Sequence, residues 1–538
     1  MPHATTSTVA LTGALGHHID VQADVSPGSV STTLIGRPDA SLMEAKDRCR
    51  MAIINSGLAW PATKRTTILL SPADLHKRGT HYDLAICVAI LAADAQVPPE
   101  TLPGTTFIGE LGLDGGLRCV PGVLPMVLAA VERGARRVFV PEPLAAEAAM
   151  VEGLEVLGLR SLEQVVAELR GDLVPGAPPV PPMASSRLLA WRGDERLEEL
   201  DLADLRGMPD TRLAVEVAAA GGHHLLLSGP KGSGKTSIAE RIPTILPPLS
   251  REESLELTAI HSLAGILDPA HGMLTQAPWS APHHDASKAS LVGGGSGRVT
   301  PGELSRAHGG VLFLDEFPLF RVDAIEALRQ PMESGEVTIA RMGESATLPA
   351  RGMVVLACNP CPCGDYTEKA GSNRCTCRET TRRDYRRKLS GPIVDRVDVV
   401  RHVAPLAPHQ EFDRFDVGEP SSVVRERVAL VRLRQAERYQ GCAWRLNAHV
   451  PGAVLRERWP LEQSAQSLVD EDVYQGRLTR RGAVRVQRVA WTLADLAAVR
   501  SGLPGSEQHQ PGGDEVEVAL ALRHGAPLPS RALHLEAS

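Results

Sequence analysis

Apolar runs and helix-periodic stretches alternate through most of the chain. Residues 1–172 contain short apolar runs such as TTLIG and RTTILLS, separated by helical patterns such as DLAICVAILAADA. This alternation predicts a compact α/β domain. Residues 200–405 contain the continuous apolar runs HHLLLSG, GVLFLDE and GMVVLACN, again separated by helical stretches. Because strands buried on both faces show such continuous runs, we predict a second α/β domain built on a parallel sheet.

The remaining segments differ from these two domains. Residues 173–199 include LVPGAPPVPPMASSR, whose five prolines are incompatible with a regular helix and typical of a semi-rigid extended linker. Residues 406–500 carry two long helix-periodic runs, SVVRERVALVRLRQAERY and the stretch that ends at Arg500, so we predict a mainly helical region. Residues 501–538 are predicted to form a loop followed by one short helix.

Composition limits the class of protein. The 538 residues are 43% hydrophobic and 22% charged, which is ordinary for a globular protein of several domains. The first twenty residues lack a positive segment followed by a long apolar core, and no run reaches the ~18 apolar residues of a membrane span. We therefore expect a cytoplasmic protein without membrane attachment. The net charge of −7 argues against a uniformly basic nucleic-acid coat, but it leaves room for a local basic patch.

The stretch LLLSGPKGSGKTSIAERI contains a glycine-rich phosphate loop. It has the spacing Gly-x4-Gly-Lys-Thr between an apolar strand and a helical pattern, which is the context that the P-loop motif requires. The glycines let backbone N–H groups point at phosphates, the lysine reaches the β- and γ-phosphates, and the threonine hydroxyl binds Mg²⁺. A glycine turn that only resembles the motif is the alternative. The residues predicted to bind ATP are Gly229, Pro230, Lys231, Gly232, Ser233, Gly234, Lys235 and Thr236.

A second apolar run, GGVLFLDEFP, ends in two carboxylates about eighty residues after the phosphate loop. We predict that Asp315 anchors Mg²⁺ together with Thr236, and that Glu316 orients the attacking water. A lone strand ending in Asp-Glu would be a weak signal. Because this pair of carboxylates follows a phosphate loop, it is a specific signal for a nucleotide site.

Three further residues are candidates for contact with the γ-phosphate. Asn359 ends the apolar run GMVVLACNP, where its amide faces either the γ-phosphate or the attacking water; a simple loop cap is the alternative. Arg396 lies in SGPIVDRVDV and Arg481 in LTRRGAVRVQR. A guanidinium is always charged and planar, which suits γ-phosphate stabilisation, although either arginine is also compatible with a plain surface charge.

Five of the nine cysteines lie in CNPCPCGDYTEKAGSNRCTC, residues 358–377. Cysteines of a reducing compartment seldom form disulfides, so a tight cluster there indicates metal binding, catalysis or burial. Four of them have the spacing CxC-x11-CxC, which is less specific than the CxxC pairs common in zinc sites. We predict a structural zinc, and a redox-sensitive thiol cluster and simple packing remain alternatives. The predicted zinc ligands are Cys361, Cys363, Cys375 and Cys377.

A basic segment follows these cysteines. Between Arg374 and Lys388 there are seven lysines and arginines against two acidic residues, Glu379 and Asp384. Such a charge run is usually a solvated helix face or a subunit contact. The sharper hypothesis is contact with DNA phosphates, which positions DNA without reading its sequence.

Six stretches together resemble the YifB/ComM family of Mg-chelatase-like AAA+ ATPases, within the Mg-chelatase/MCM-like group. They are APHHDASKASLVGGG, TPGELSRAHGGVLFLDE, LRQPMESGEVTIAR, NPCPCG, SGPIVDRVDV and LTRRGAVRVQRVAWTLADL. The resemblance covers nearly the whole chain. It implies a P-loop AAA+ α/β core for residues 200–405, a helical lid for residues 406–500, and assembly into a ring, expected to be a hexamer.

The same resemblance assigns roles to single residues. It implies that Asn359 is sensor 1, that Arg396 is an arginine finger acting on a neighbouring subunit, and that Arg481 is sensor 2. In the MCM-like group, hairpins of the kind predicted by EVTIARMGESATLPAR face the pore of the ring. Arg341 is therefore a candidate contact with DNA.

The N-terminal region resembles the proteolytic domain of Lon, as is usual in this family. The Ser and Lys of the Lon dyad would fall in KRGTHYD and PGVLPM, where this chain has His81 and Leu124. Since neither a hydroxyl nor an amine remains at these positions, we predict that residues 1–172 are a scaffold or partner-binding domain and not a peptidase.

The resemblance implies an ATP-driven DNA motor, a helicase or branch-migration enzyme of DNA uptake by natural transformation, with ATP and Mg²⁺ as cofactors and single-stranded or branched DNA as partner. Two alternatives stay open. One is a remodelling subunit of a metal chelatase, although such a subunit would not be expected to carry a Lon-like domain or the cysteine-rich loop. The other is an ATP-gated adaptor that holds proteins through the Lon-like domain. DNA-stimulated ATP hydrolysis separates the motor from both.

Overall fold

The chain is an α/β protein with a mixed sheet in its N-terminal domain, a parallel sheet in its middle domain and a helical C-terminal region, which confirms the predicted fold class. A computed structural model describes residues 3–183, 199–268, 272–294, 299–341, 344–366, 373–389, 393–405, 418–503, 509–529 and 532. Within these ranges no helix is long and apolar enough to cross a membrane.

The N-terminal domain is built on a seven-stranded sheet in the order β3-β4-β2-β1-β5-β8-β9. Its strands are β1 (His3–Thr12), β2 (Leu15–Ser26), β3 (Ser31–Ile35), β4 (Arg65–Ser71), β5 (Thr105–Phe107), β8 (Arg137–Pro141) and β9 (Glu155–Leu159), with β6 (Glu110–Leu111) and β7 (Leu117–Arg118) forming a separate pair. In β2, alternate residues from Ile19 to Val25 are buried. This two-residue period is what places one face of the strand in the core.

Six helices accompany this sheet: α1 (Ala40–Met43), α2 (Ala45–Asn55), α3 (Asp83–Ala93), α4 (Val123–Glu132), α5 (Ala145–Ala148) and α6 (Leu162–Arg170). Helices α3 and α4 both pack on β1 and β2 but belong to different apolar clusters, so the central strands are covered on both faces. The proline-rich segment is neither helix nor strand from 173 to 183 and lies against this domain. Gln164 Nε2 donates a 2.7 Å hydrogen bond to Pro175 O, and Arg160 Nη1 donates a 3.1 Å bond to Ala177 O.

The middle domain contains a five-stranded sheet in the order β11-β14-β17-β10-β18, and every pair in it is parallel. Its strands are β10 (Leu225–Ser228), β11 (Trp279–Ser280), β14 (Val311–Leu314), β17 (Met353–Cys358) and β18 (Val399–His402). The three continuous apolar runs of the sequence form the adjacent strands β14, β17 and β10. The prediction of a parallel sheet is therefore confirmed, and the carboxyl ends of these three strands meet at one edge.

Helices surround this sheet and a hairpin extends from it. The helices are α7 (Pro209–Gly221), α8 (Lys235–Ile245), α9 (Arg251–Ala264), α10 (Lys288–Val292), α11 (Glu303–Arg306), α12 (Val322–Ala327), α13 (Pro331–Ser334) and α14 (Glu379–Leu389). Strands β12 (Gly293–Gly294) and β13 (Thr300–Pro301) form a short pair, and β15 (Glu336–Arg341) and β16 (Glu344–Pro349) form an antiparallel hairpin. The backbone of Arg341 lies at the tip of the hairpin, and its side chain lies outside the described residues.

The C-terminal region consists of α15 (Ser421–Arg438), α16 (Gly452–Arg458), α17 (Gln463–Tyr474), α18 (Arg480–Arg500) and α19 (Gly513–His524). Helix α19 packs on α17, α18 and β18, so it joins the other helices and does not stand apart. A buried ion pair links two helices of the region, with Arg438 Nη1 3.0 Å from Asp495 Oδ2. Arg500 Nη2 lies 2.8 Å from Glu216 Oε2 and ties α18 to α7 of the middle domain.

The N-terminal and middle domains contact each other through α4 and α9. The buried Glu147 side chain lies between them: its Oε1 accepts hydrogen bonds from Ser262 Oγ at 2.6 Å and from the Leu124 N–H at 2.8 Å. Burial raises the pKa of this carboxyl, and the two donors act in the opposite direction. At a second contact, a Cβ on Gly13 would lie 2.7 Å from Ala346 Cβ, so the β1–β2 turn packs closely on the β15–β16 hairpin.

Candidate nucleotide site and its neighbours

The phosphate loop runs from the end of β10 to the start of α8 and requires glycine at several positions. A Cβ on Gly229 would lie 2.2 Å from the carbonyl oxygen of Val403. Gly232 and Gly234 have φ of +76° and +85°, which L side chains rarely adopt. The backbone N–H groups at the start of α8 therefore lie in a tight loop at a helix N-terminus, an arrangement that binds phosphates.

Lys235 is buried inside this loop. Its Nζ donates hydrogen bonds to Gly229 O at 2.9 Å and to Pro230 O at 2.8 Å. Burial lowers the pKa of Lys235, and the nearby Asp315 partly offsets that shift. The ammonium is thus held inside the loop, where phosphate oxygens would be stronger acceptors than neutral carbonyls.

Thr236 and Asp315 meet across the sheet edge. Thr236 Oγ1 donates a 3.1 Å hydrogen bond to Asp315 Oδ2, although β10 and β14 are separated in the sheet by β17. A hydroxyl and a carboxylate so placed are the oxygen ligands that Mg²⁺ takes in nucleotide sites. The residues present therefore fit Mg²⁺ with ATP.

Glu316 has an unusual backbone conformation. Its φ is +48°, in the left-handed region that a non-glycine residue seldom adopts, and its N–H donates a 2.8 Å hydrogen bond to Asp315 Oδ1. Strain of this kind costs about 1–3 kcal/mol and tends to occur at functional sites. The Glu316 carboxylate is 45% exposed, and Oε2 lies 3.8 Å from His284 Nδ1. The adjacent histidines in APHHDASK do not by themselves indicate this neighbour, because nothing in the local sequence points to Glu316.

Asn359 follows β17 at the same edge of the sheet. The carbonyl of the preceding residue, Cys358, accepts a 3.2 Å hydrogen bond from the Gly229 N–H. Burial raises the pKa of Tyr385 of α14 above its usual range, and the nearby backbone of Asn359 acts in the opposite direction. The structure thus brings Asn359 to the phosphate loop and near α14.

Four thiols come together immediately after Asn359, and we call them the cysteine knuckle: Cys361, Cys363, Cys375 and Cys377. The Sγ of Cys361 lies 3.2 Å from that of Cys363 and 3.6 Å from that of Cys375, and Cys363 Sγ lies 3.6 Å from Cys375 Sγ. All four sulfurs lie within 4.8 Å of one another. Zn–S bonds of ~2.3 Å in a tetrahedron place sulfurs about 3.8 Å apart, so the four thiols fit zinc.

The knuckle packs over the phosphate loop. Gly364 has φ of +84°, and a Cβ there would lie 3.0 Å from Lys231 Cβ. A hydrogen bond from the backbone of Asp365 and another from Cys361 lower the pKa of Cys363 to about 6. Thiolates are the form in which cysteines bind metal, so this environment favours a metal site.

Helix α14 carries most of the basic segment and lies against the knuckle. The guanidinium groups of Arg382 and Arg386 lie 4.5 Å and 4.7 Å from the ring centroid of Tyr366, which belongs to the knuckle loop. Lys388 Nζ donates a 2.7 Å hydrogen bond to the carbonyl of Pro318, two residues after Glu316. The side chains of Arg378, Arg383 and Arg387 are exposed.

Arg396 and Arg481 are brought to each other at the short helix α13. Arg396 Nη2 lies 3.1 Å from Glu333 Oε1, and Arg481 Nε lies 3.8 Å from the same oxygen. Arg396 is largely buried, whereas the Arg481 side chain is 61% exposed. Both arginines are candidates from the sequence, whereas the position of Glu333 in LRQPMESGEV carries no signal for such a pairing.

The two residues predicted to replace the Lon dyad lie in the core of the N-terminal domain. His81 is buried, with Nε2 2.9 Å from the carbonyl oxygen of Val9, and its ring lies 4.1 Å from that of Tyr82. Leu124 is fully buried and lies at the start of α4. Neither side chain supplies a hydroxyl or an amine.

Each of the three parts of the chain matches a known protein-family model. The middle domain matches the family model "Magnesium chelatase, subunit ChlI" over residues 201–411. Residues 21–143 match "Subunit ChlI of Mg-chelatase", and residues 418–523 match "Magnesium chelatase, subunit ChlI C-terminal".

Relatives of similar length were found in several bacteria. An uncharacterised protein of Mycobacterium tuberculosis is 45% identical over 520 residues, which is 96% of this chain and 97% of the relative. YifB of Escherichia coli is 39% identical over 490 residues, 91% of this chain and 92% of YifB. Competence protein ComM of Haemophilus influenzae is 37% identical over 479 residues, 89% of this chain and 91% of ComM.

A weaker similarity concerns a smaller part of the chain. Lon protease 2 of Bacillus subtilis is 24% identical over 162 residues, 28% of this chain and 29% of that protein. The N-terminal domain therefore has a weak likeness to Lon within a ChlI-type domain. The full-length similarities and the three matched models lead to one conclusion: the chain belongs to the YifB/ComM family of magnesium-chelatase-like AAA ATPases.

Proposed function

We propose that the protein is an ATP-hydrolysing, ring-forming DNA motor that acts as a helicase or branch-migration enzyme in DNA uptake and recombination. Its relative in Haemophilus influenzae carries the name competence protein ComM. The observation that carries the proposal is the connection of the basic helix α14 to the nucleotide site. Lys388 of that helix donates a hydrogen bond to the segment after Glu316, and Tyr385 of the same helix lies near the backbone of Asn359.

The nucleotide site supports hydrolysis by the following division of labour. ATP would supply the phosphoanhydride bond that is cleaved, and Mg²⁺ would neutralise the negative charge of the phosphates. Lys235 and the loop N–H groups hold the phosphates, and Thr236 with Asp315 hold the metal. Glu316 orients and deprotonates the attacking water, and Asn359 senses the γ-phosphate. These roles rest on the geometry of the loop and of the two carboxylates.

A ring explains the two arginines at Glu333. Within one chain, Arg396 and Arg481 contact α13, while Lys235, Asp315 and Asn359 gather at the ends of the sheet strands. An arginine finger acts on the nucleotide of an adjacent subunit, and we propose that Arg396 does so in a hexamer. Arg481 is proposed as sensor 2 at the same interface.

DNA contact is proposed for the exposed arginines of α14. Helix α14 has eleven residues, and it carries Arg383 and Arg387 one turn apart on its solvent side. Phosphate contacts of this kind bind the backbone without sequence preference and weaken with salt. A DNA phosphate bound to α14 would shift this helix, and with it Tyr385, relative to Asn359. This movement would couple DNA binding to ATP hydrolysis.

The experiment is a measurement of ATP hydrolysis with and without single-stranded and branched DNA. We expect DNA to raise the rate, and we expect the double variant Arg383→Glu, Arg387→Glu to lose the stimulation. Arg456→Glu with Arg458→Glu is the matched control, because it reverses the charge of two exposed arginines on α16. Equal loss in both double variants, or hydrolysis indifferent to DNA, would contradict the proposal.

The cysteine knuckle is proposed to hold one zinc that braces α14 against the nucleotide site. The four sulfurs already lie close to tetrahedral spacing, and Tyr366 of the same loop is held by two arginines of α14. A polar loop of this size cannot build its own apolar core, so thiolate–metal bonds would supply its stability. The reduced thiols of a cytoplasmic protein suit this role.

A chelatase subunit is the second candidate, since the matched models bear that name. It would hydrolyse ATP while acting on a protein partner, and DNA would not change its rate. The same DNA titration therefore separates the two functions. The adaptor alternative, in which the N-terminal domain holds a protein, also predicts no response to DNA.

A further inference from the structure

The segment that carries Arg396 is held by the C-terminal helices. We call residues 394–398 the finger turn. Thr479 Oγ1 donates a 3.1 Å hydrogen bond to Asp395 Oδ1, and Arg485 Nε donates a 3.0 Å bond to the Asp395 carbonyl. Arg485 Nη1 also donates a 2.7 Å bond to Asp398 Oδ1, in a buried ion pair. The N-terminal half of α18 therefore fixes both ends of the turn.

A third contact comes from the last long helix. Arg523, near the C-terminal end of α19, donates from Nη1 to the carbonyls of Val394, at 3.3 Å, and Val397. Its Nη2 lies 3.4 Å from Asp395 Oδ1. The Arg523 side chain is 11% exposed, so these contacts are made largely away from solvent. One guanidinium thus spans the peptide units on both sides of Arg396.

The sheet alone does not define the position of Arg396. Strand β18 pairs with β10 from Val399 onward, three residues after Arg396. Upstream of that point, Asp398 is still hydrogen-bonded to His224, and the carbonyls of Val394 and Val397 accept hydrogen bonds from Arg523. A planar guanidinium with five donors in a fixed geometry is suited to hold two carbonyls and a carboxylate at once.

We propose that Arg523 is a positioning residue for Arg396, and that through it α19 fixes the turn by which each subunit reaches the nucleotide of its neighbour. The inference rests on the proposed role of Arg396 as an arginine finger. It goes further by making the C-terminal helix part of the hydrolysis machinery of the adjacent subunit. Any movement of α18 and α19 would then move the finger turn with it.

The expected effect of losing Arg523 is a misplaced finger with an intact nucleotide site. A misplacement of about 1 Å in a catalytic group lowers the rate by roughly 10²-fold. We expect Arg523→Met to lower ATP hydrolysis roughly 10- to 100-fold while the affinity for ATP stays unchanged. Arg523→Lys, which keeps the charge but loses the planar fork, should fall between Arg523→Met and the unmodified protein.

A mixing experiment tests the position of Arg396 and not only the stability of the helix. Arg523→Met subunits keep Glu316, and Glu316→Gln subunits keep a correctly held finger, so mixed rings contain interfaces with both parts intact. We expect hydrolysis to rise above that of either variant alone. Arg396→Met mixed with Glu316→Gln is the positive reference. His524→Gln is the matched control, because His524 Nε2 contacts Asp472 Oδ2 at 2.8 Å rather than the finger turn.

The outcomes are distinct. Recovery by the Arg523→Met mixture that matches the Arg396→Met mixture, with His524→Gln fully active alone, supports the inference. Recovery with Arg396→Met but not with Arg523→Met would overturn it, and so would full activity of Arg523→Met alone. Absence of recovery with Arg396→Met would instead overturn the finger role within the proposed function, and the inference would fall with it.

Discussion

Replacing Lys235 and Glu316 separates binding of ATP from its hydrolysis. Lys235 makes two hydrogen bonds to loop carbonyls from inside the phosphate loop. Hydrogen bonds from a charged group contribute about 1.5–3 kcal/mol each. Directed at two phosphate oxygens, they amount to about 3–6 kcal/mol, which at 1.4 kcal/mol per tenfold is roughly 10²- to 10⁴-fold in affinity. We expect Lys235→Ala to weaken ATP binding by that factor.

Glu316→Gln should behave in the opposite way. The amide has the shape of the carboxylate, and the Glu316 side chain is half-exposed, with its Oε2 3.8 Å from His284 Nδ1. Little binding energy depends on its charge, so we expect affinity within about threefold of the unmodified protein. Loss of a general base lowers hydrolysis by roughly 10²- to 10⁴-fold.

Equilibrium binding of a labelled ATP analogue and a steady-state hydrolysis assay measure the two effects. Lys231→Ala is the matched control, because it removes an equal charge from the same loop at an exposed position and keeps the Cβ that packs under Gly364. If Glu316→Gln binds no nucleotide, or if Lys231→Ala weakens binding as much as Lys235→Ala, the division of roles is wrong.

Three further predictions follow from other parts of the molecule. Elemental analysis should find about one zinc per chain. The double variant Cys375→Ser, Cys377→Ser should lose this zinc, and its DNA-stimulated ATP hydrolysis should fall more than its basal ATP hydrolysis. Zinc-free protein with normal stimulation by DNA would contradict both expectations. Purified protein should cleave neither casein nor peptides, and activity that disappears with the N-terminal domain would refute this. Asp398→Asn should lower the free energy of unfolding by about 3–5 kcal/mol at pH 7, measured by urea titration, because it leaves the buried Arg485 unpaired. Burial alone would raise the pKa of Asp398, but Arg485 and His223 hold this pKa below its usual range. The ion pair therefore stabilises the fold above about pH 4. As the pH falls further, the difference in free energy of unfolding between the unmodified protein and Asp398→Asn should shrink.

The local chemistry of the nucleotide site could be predicted because it is written in short contiguous stretches. Gly229 to Thr236 form a loop whose backbone needs glycines at fixed spacing. The first apolar run leads into this loop, and the other two end in the polar candidates for the site, Asp315 with Glu316 and Asn359. Parallel strands bring their carboxyl ends to one edge, so Asp315 and Asn359 had to lie near the loop once the sheet formed. The cysteine knuckle could be predicted for the same reason, since its four thiols lie within one short loop.

The residues whose roles are not evident from the sequence all act across large separations along the chain. His284 approaches Glu316, and Arg523 reaches the finger turn from a helix more than a hundred residues away. An arginine or a histidine at such a position looks like any other surface charge in the sequence, because the partner that gives it a role comes from a different element.

The sequence by itself determined that both domains are α/β and that the middle sheet is parallel. It also marks the phosphate loop with its two carboxylates, and it predicts that the Lon dyad is absent at His81 and Leu124. These features depend on residue type and short spacing, which local backbone geometry converts directly into structure. Tertiary structure alone decided that Arg396 and Arg481 share Glu333, and that Lys388 of α14 is hydrogen-bonded to Pro318 after Glu316. The physical reason is that a buried polar group must find a partner wherever packing provides one, and packing is set by the whole chain rather than by the neighbouring residues.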